Sequence, residues 1–157
     1  MAIARTNSWK GFDTFLKAMD EIYRKRKDFE IRIVNSDNVT LGDLGFKYIT
    51  LTRVPSEEFV KKTKEILCDV DVIIVPSLTI ETWGRHVTES MLSGRPVLAT
   101  KGNGGLVVQV TDGVDGFHVN TYEVKEFANT LYKILLIFQK EIKENGRKSQ
   151  SKCLAKV

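Results

Sequence analysis

Glu81 and Glu89 stand eight positions apart on either side of a glycine, Gly84, within the stretch from Pro76 to Thr100. Carboxylates accept hydrogen bonds from hydroxyl groups. A helix starting near Gly84 would turn its first unpaired N–H groups toward the same cleft and attract phosphate. Gly84, having no Cβ, lets the backbone come close to a ligand. For both acids to serve one site, a strand must end at Pro76 and Ser77, a loop must carry Glu81 to its rim, and the helix must hold Glu89 on its second turn. Ligands of open α/β sheets bind there, beyond the carboxyl ends of the strands. On spacing alone a second reading stands beside this one: two acids near a helix start also interact favourably with the helix dipole.

The elements that would position these residues alternate between short β-branched runs and longer amphipathic stretches, which predicts an α/β fold, a Rossmann-like doubly wound parallel sheet in a single domain. A strand at Ala2 to Arg5 leads to a helix from Phe12 to Arg26 with Phe15, Met19, Ile22 and Tyr23 at helical spacing. Further strands are expected at Phe29 to Val34 and Lys47 to Val54, separated by the turn-forming Asn35 to Gly45. Pro55 and Ser56 open a helix carrying Phe59, Thr63, Ile66 and Leu67 on one side. Val70 to Val75 is apolar nearly throughout, as a central strand buried on both faces should be. Pro96 to Thr100 and Gly116 to Val119 read as strands flanking a glycine-rich turn, a short helix at Leu106 to Thr111 and an Asp112-Gly113 turn. Asn120 and Glu123 fit a capping box for a last helix that runs to about Glu144, with Val124, Phe127, Leu131, Ile134, Leu135 and Phe138 in one stripe.

The chain has 157 residues, 42% of them hydrophobic, enough for one domain with a core. Residues 1–146 form the expected domain and 147–157 a basic, flexible tail. The formal charge of +4 comes largely from that tail, which holds Arg147, Lys148, Lys152 and Lys156 with no acid, so the charge does not argue for a nucleic-acid partner. Cys68 and Cys153 lie far apart without a Cys-x-x-Cys pair, and His86 and His118 are the only imidazoles. This spacing yields no metal site and no disulfide framework, and Cys68 reads as core packing. The apolar run Ile134 to Phe138 is far shorter than the roughly 18 to 20 residues that span a bilayer, and no signal-peptide core opens the chain. A cytoplasmic location, with the tail allowing a peripheral membrane contact, is the expectation.

Beyond composition, the stretch Pro76-Ser77, Glu81-Thr82-Trp83-Gly84, Glu89-Ser90-Met91 and Gly94-Arg95-Pro96-Val97 resembles the E-x7-E region of the retaining GT-B glycosyltransferases of family 4, also called group 1. Relatives show Pro-Ser, then Glu-x-Phe-Gly, then Glu-Ala-Met, with a Gly-x-Pro-Val strand behind. A second similarity is the step from Arg5 to Lys10-Gly11, which matches the family's Gly-Arg-Leu and Lys-Gly signature. A third is Gly104-Gly105-Leu106 through Asp112-Gly113 to Gly116, where the family's Pro-Glu positions hold Val107 and Val108 and a carboxylate is therefore missing.

The resemblance implies roles. Arg5 and Lys10 would hold the donor diphosphate, and with Glu81, which contacts the transferred sugar, they form the catalytic set; a forked guanidinium and a point ammonium suit charge on a departing pyrophosphate. Glu89 would accept hydrogen bonds from the ribose hydroxyls. Thr82, Trp83, Gly84, Arg85 and His86 would meet sugar or phosphate oxygens, and Arg53 and Val54 the nucleobase, mainly through backbone. Arg85 and His86 replace residues often apolar in relatives, so donor contact and simple solvation both remain open. Trp83 either packs under its loop or stacks on a ligand.

The resemblance covers only the C-terminal, donor-binding half of a GT-B fold. It implies a chain that binds a nucleoside-diphosphate sugar as donor substrate, with no cofactor and no metal, and that needs a separate acceptor domain or partner subunit for efficient transfer. Two other readings stand beside it. One is a non-catalytic module that assembles with another protein or as a homo-oligomer; the other is a different doubly wound nucleotide protein such as an epimerase.

Overall fold

The computed structural model describes residues 2–4, 7–34, 45–46, 48–51 and 56–145. Among the described residues there are six strands, β1 (Ala2–Ala4), β2 (Ile31–Val34), β3 (Tyr48–Leu51), β4 (Ile73–Val75), β5 (Val97–Thr100) and β6 (Gly116–Val119). Five helices join them: α1 (Phe12–Tyr23), α2 (Ser56–Asp69), α3 (Arg85–Leu92), α4 (Gly104–Gln109) and α5 (Val124–Asn145). A 3₁₀ turn at Ser8–Lys10 precedes α1.

All ladders are parallel, and the strand order is β3-β2-β1-β4-β5-β6. The chain starts at the centre, builds outward to β3, then returns to lay β4 against the other side of β1. The direction of winding therefore reverses between β1 and β4, and the connections leaving these two strands diverge to open a crevice. This is the doubly wound sheet expected from the alternating pattern.

Each central strand feeds two cores, because successive side chains point to opposite faces. Val72, Ile74 and Leu98 join the cluster under α1 and α5, while Ile73, Val97 and Ala99 join the one under α2, α3 and α4. Burial on both faces is why these strands read as unbroken apolar runs. The α1 stripe buries Phe12, Phe15, Met19 and Ile22 against Phe127, Leu131 and Ile134 of α5. Each such large side chain contributes about 1.5–3 kcal/mol on leaving water. Tyr23 stays partly buried and closes the end of this core against Phe29 and Phe46, with ring centroids 6.1 and 6.0 Å away.

Several boundaries differ from the expected ones. α1 ends at Tyr23 rather than Arg26, β4 starts at Ile73 rather than Val70, and α4 starts at Gly104, two residues before the expected start. The capping box at Asn120 does not form, since α5 begins only at Val124. The Asn120 side chain instead accepts the Tyr122 N–H at 3.1 Å, a local turn that competes with capping. Cys68 is disulfide-bonded rather than simply packed, and Cys153 lies outside the described residues. The turn at Asn35 to Leu44, Pro55 ahead of α2 and the tail from Gly146 also lie outside them.

Arg95 is one polar residue that the fold has taken inside. Its Nε donates to the Leu67 carbonyl at 3.0 Å and its Nη2 to the Cys68 carbonyl at 2.6 Å, so a buried cation closes the carboxyl end of α2. Burial lowers its pKa from the usual arginine value, opposed by the charges of Asp71 and Asp69.

Candidate functional site

At the crevice between β1 and β4 lies a cavity of about 320 Å³. Its floor is the end of β4, Ile74 to Ser77; one wall carries Lys10, and the other carries Glu81 with Trp83, Gly84, Arg85 and His86. Chain order puts these walls together. The 3₁₀ turn delivers Lys10 from β1, and the loop after β4 delivers Glu81 and then α3.

The two walls are held in register by close backbone contact. Leu78 donates its N–H to the Trp9 carbonyl at 3.1 Å. Gly11, with φ +74°, lies so close to the Pro76 carbonyl that a Cβ there would approach its oxygen to 1.9 Å. Only glycine satisfies both the left-handed backbone and that contact.

Lys10 Nζ donates to Glu81 Oε1, and the two side chains are only 14% and 23% exposed, so the cation and the carboxylate face each other away from bulk water. The ammonium also sits 4.5 Å from the centroid of the Trp9 ring, a cation–π contact. An ammonium keeps further N–H donors when one is engaged, so Lys10 can grip an anion without releasing Glu81.

Glu89 sits one turn along α3 from Arg85 and His86, with Oε1 3.3 Å from Arg85 Nε and Oε2 3.4 Å from His86 Nδ1. The hydrogen bond from His86 is the largest influence on its carboxyl and lowers its pKa from the usual glutamate value; partial burial opposes it, and the charges of His86 and Arg85 lower it further.

Of the residues expected to form one site, Lys10, Glu81, Trp83, Gly84, Arg85 and His86 line the cavity. Thr82 and Glu89 do not. Thr82 is exposed, and its carbonyl turns toward Gly105, where a Cβ would come within 2.4 Å. Glu89 reaches the cavity through its contacts to Arg85 and His86. Arg5, Arg53 and Val54 lie outside the described residues. Trp83 is 60% exposed, which decides against packing under its loop.

One expectation needs correction: the Gly84 N–H is not left open to a ligand, because Gln109 Oε1 accepts it at 2.9 Å. Two residues that sequence reasoning passed over thus shape the site, Gln109 and the buried Asn103. For Asn103 a signal was present, an amide side chain set between glycines in Lys101-Gly102-Asn103-Gly104-Gly105. Among the described residues no group of three or more His, Cys, Asp or Glu could hold a metal ion, and no helix is long and apolar enough to cross a membrane.

Comparison with known proteins adds to this geometry. The family model for glycosyl transferases group 1 matches residues 1–149. D-inositol 3-phosphate glycosyltransferase of Corynebacterium aurimucosum is 29% identical over 147 residues, 85% of this chain and 34% of the relative. The chain spans about a third or less of the length of the curated relatives it matches. Among solved structures, a glycosyltransferase from Rickettsia africae superposes with a TM-score of 0.72 at 19% identity, covering 99% of this chain and 43% of the other. Anabaena HepE in complex with UDP-glucose superposes with a TM-score of 0.68 at 21% identity, covering 99% and 44%. Both neighbours share the parallel-sheet fold described above.

Proposed function

The chain belongs to the glycosyl transferases group 1 family, and from that premise we propose that it forms the donor-binding half of a GT-B enzyme and binds a nucleoside-diphosphate sugar for transfer with retention at the sugar carbon. The observation that carries this reading is the meeting of Lys10, Glu81 and the first turn of α3 around one cavity at the β1/β4 crevice. The complex of Anabaena HepE with UDP-glucose supports it by fold.

In this reading Arg5 and Lys10 bind the diphosphate, Glu81 holds hydroxyls of the transferred sugar, and Glu89 holds the ribose. The backbone at Trp83, Arg85 and His86 meets sugar and phosphate oxygens, and Arg53 and Val54 meet the base. Catalysis is orientation together with stabilisation of charge on the departing diphosphate, the positive side chains taking the place of a metal ion. Lys10 can do this because Glu81 fixes its ammonium at the wall of the cavity before any ligand arrives. A second domain or subunit brings the acceptor. Residues 1–146 do the binding, and the setting is the cytoplasm.

Calorimetry with UDP and UDP-glucose tests the reading. Lys10→Ala and Glu89→Ala should each weaken binding about tenfold or more, as loss of a charge-assisted contact does. No binding by the wild-type chain at millimolar ligand, or unchanged affinity in both variants, would end it.

One observation favours a second reading, a non-catalytic assembly module. Val108, where relatives carry a carboxylate, is 80% exposed, and Ile80 beside the site is 82% exposed. Light scattering separates the two, since a stable homo-oligomer without nucleotide affinity fits assembly and not donor binding.

A further inference from the structure

The residues that face the cavity are not held in place by their own segment. Gly84 stands at the N-cap of α3 and has no side chain to cap it, and Glu81 lies in a loop. Both are fixed from a distance, by two amide side chains at the ends of α4, the N-cap Asn103 and the last helical residue Gln109.

Asn103 is 5% exposed and spends its whole amide on one turn. Its Oδ1 accepts the Glu81 N–H at 2.7 Å, and its Nδ2 donates to the Ser77 carbonyl at 2.8 Å and the Thr79 carbonyl at 2.7 Å. The turn from the end of β4 to Glu81 is thereby wrapped around a single buried group. The Gly105 N–H adds a bond to the Glu81 carbonyl at 2.8 Å, and a Cβ on Gly104 would come within 2.6 Å of that oxygen, so the two segments touch backbone to backbone.

Gln109 does the equivalent for the helix. Its Oε1 accepts the Gly84 N–H at 2.9 Å, and its Nε2 donates to Thr88 Oγ1 at 2.7 Å and, at a longer 3.4 Å, to the Gly84 carbonyl. These bonds pin the residue before α3 and a residue one turn along it, next to Glu89. The angle at which Arg85, His86 and Glu89 leave the loop is therefore set by a side chain on another helix. Neither Asn103 nor Gln109 lines the cavity, so each acts through the residues it holds.

We propose that Asn103 and Gln109 are positioning residues of the donor site, Asn103 setting Glu81 against Lys10 and Gln109 setting the first turn of α3. The inference rests on the donor reading given above. Catalytic and binding groups work only when held close to their productive geometry, and a network of satisfied hydrogen bonds behind them is the usual means.

The test uses the full chain, with Gln109→Met, Gln109→Glu and Asn103→Asp. Methionine keeps the length of the side chain and removes all three hydrogen bonds. Glutamate accepts the Gly84 N–H and, once the Thr88 hydroxyl turns to donate, keeps the bond to Thr88 as well, losing only the long 3.4 Å contact to the Gly84 carbonyl. Aspartate at 103 keeps the bond from Glu81 N–H and loses the two donated ones. Three quantities are read: affinity for UDP and for UDP-glucose by calorimetry, melting temperature, and amide exchange at Glu81 and Gly84.

The expected result is that Gln109→Met weakens both ligands about tenfold at temperatures well below its melting point, with faster exchange at Gly84, while Gln109→Glu stays within about threefold of wild type. Asn103→Asp should weaken UDP-glucose more than UDP, because Glu81 faces the sugar. Gln109→Met binding as tightly as wild type, or losing affinity only where it begins to melt, overturns the proposal in favour of a purely structural role. A wild-type chain that binds neither ligand overturns the donor reading and this inference with it; wild-type binding with an unaffected Gln109→Met overturns this inference alone.

Discussion

Glu89 has both of its oxygens turned toward bases of its own helix, 3.3 Å from Arg85 and 3.4 Å from His86. This arrangement favours its ionised form and lowers its pKa below the ordinary value of 4.5, with the His86 hydrogen bond as the main cause. A carboxyl that ionises more readily in the folded chain than in the unfolded one stabilises the fold above its unfolded pKa, and that contribution disappears as pH falls through the folded value. Glu89→Gln should therefore be slightly less stable than wild type at pH 7 and close to it at pH 3. The side chain is 36% exposed, so solvent screening keeps the difference under about 1 kcal/mol. Urea titrations of both proteins at the two pH values measure it, and a gap that grows toward acid would refute the assignment. Because the favoured charge is negative, Glu89 is suited to accept hydrogen bonds from hydroxyls, whereas Lys10, already beside Glu81, is suited to a phosphate.

Between elements, the tightest constraint near the site is the contact of Gly11 with the loop after β4. Gly11→Ala would place a methyl 1.9 Å from the Pro76 carbonyl oxygen in a backbone with φ +74°. Neither neighbour is a flexible side chain, so the 3₁₀ turn carrying Lys10 must move away from the wall carrying Glu81. We expect a loss of about 2–4 kcal/mol in chemical denaturation, from steric overlap and left-handed strain together. A loss under about 0.5 kcal/mol would show that the two walls are not in contact. The elements themselves were largely legible in the sequence. Strands β4, β5 and β6 and the α1 and α5 stripes follow from apolar periodicity, which survives in the fold because both sheet faces are covered. The expected Asn120 capping box failed for a local reason, since the same side chain that could cap a helix also closes a turn two residues ahead.

At the scale of the whole molecule, the strand order explains how residues 71 positions apart, Lys10 and Glu81, come to share one hydrogen bond. Sequence alone could pair them only through a family pattern, since nothing in local spacing relates a loop after β1 to a loop after β4. The roles of Asn103 and Gln109 were harder to read, because an amide finds its partners from tertiary approach and leaves no periodic trace. The sheet supplies the floor of the cavity and the segments after β1 and β4 its two walls, while Trp9, beside Lys10, and Trp83 remain 49% and 60% exposed. A transferase must exclude water from the departing sugar and place an acceptor opposite it, and among the described residues the two tryptophans beside the cavity lie open to water. We therefore expect the purified chain, given UDP-glucose or another nucleoside-diphosphate sugar it binds, to hydrolyse the donor slowly and to transfer little or no sugar to any acceptor supplied. Assays that follow nucleoside-diphosphate release and glycoside formation in parallel distinguish the two fates of the sugar. Release without product, abolished by Lys10→Ala, fits a donor half awaiting its second domain, and efficient glycoside formation by the chain alone would mean that its own surface already closes the site.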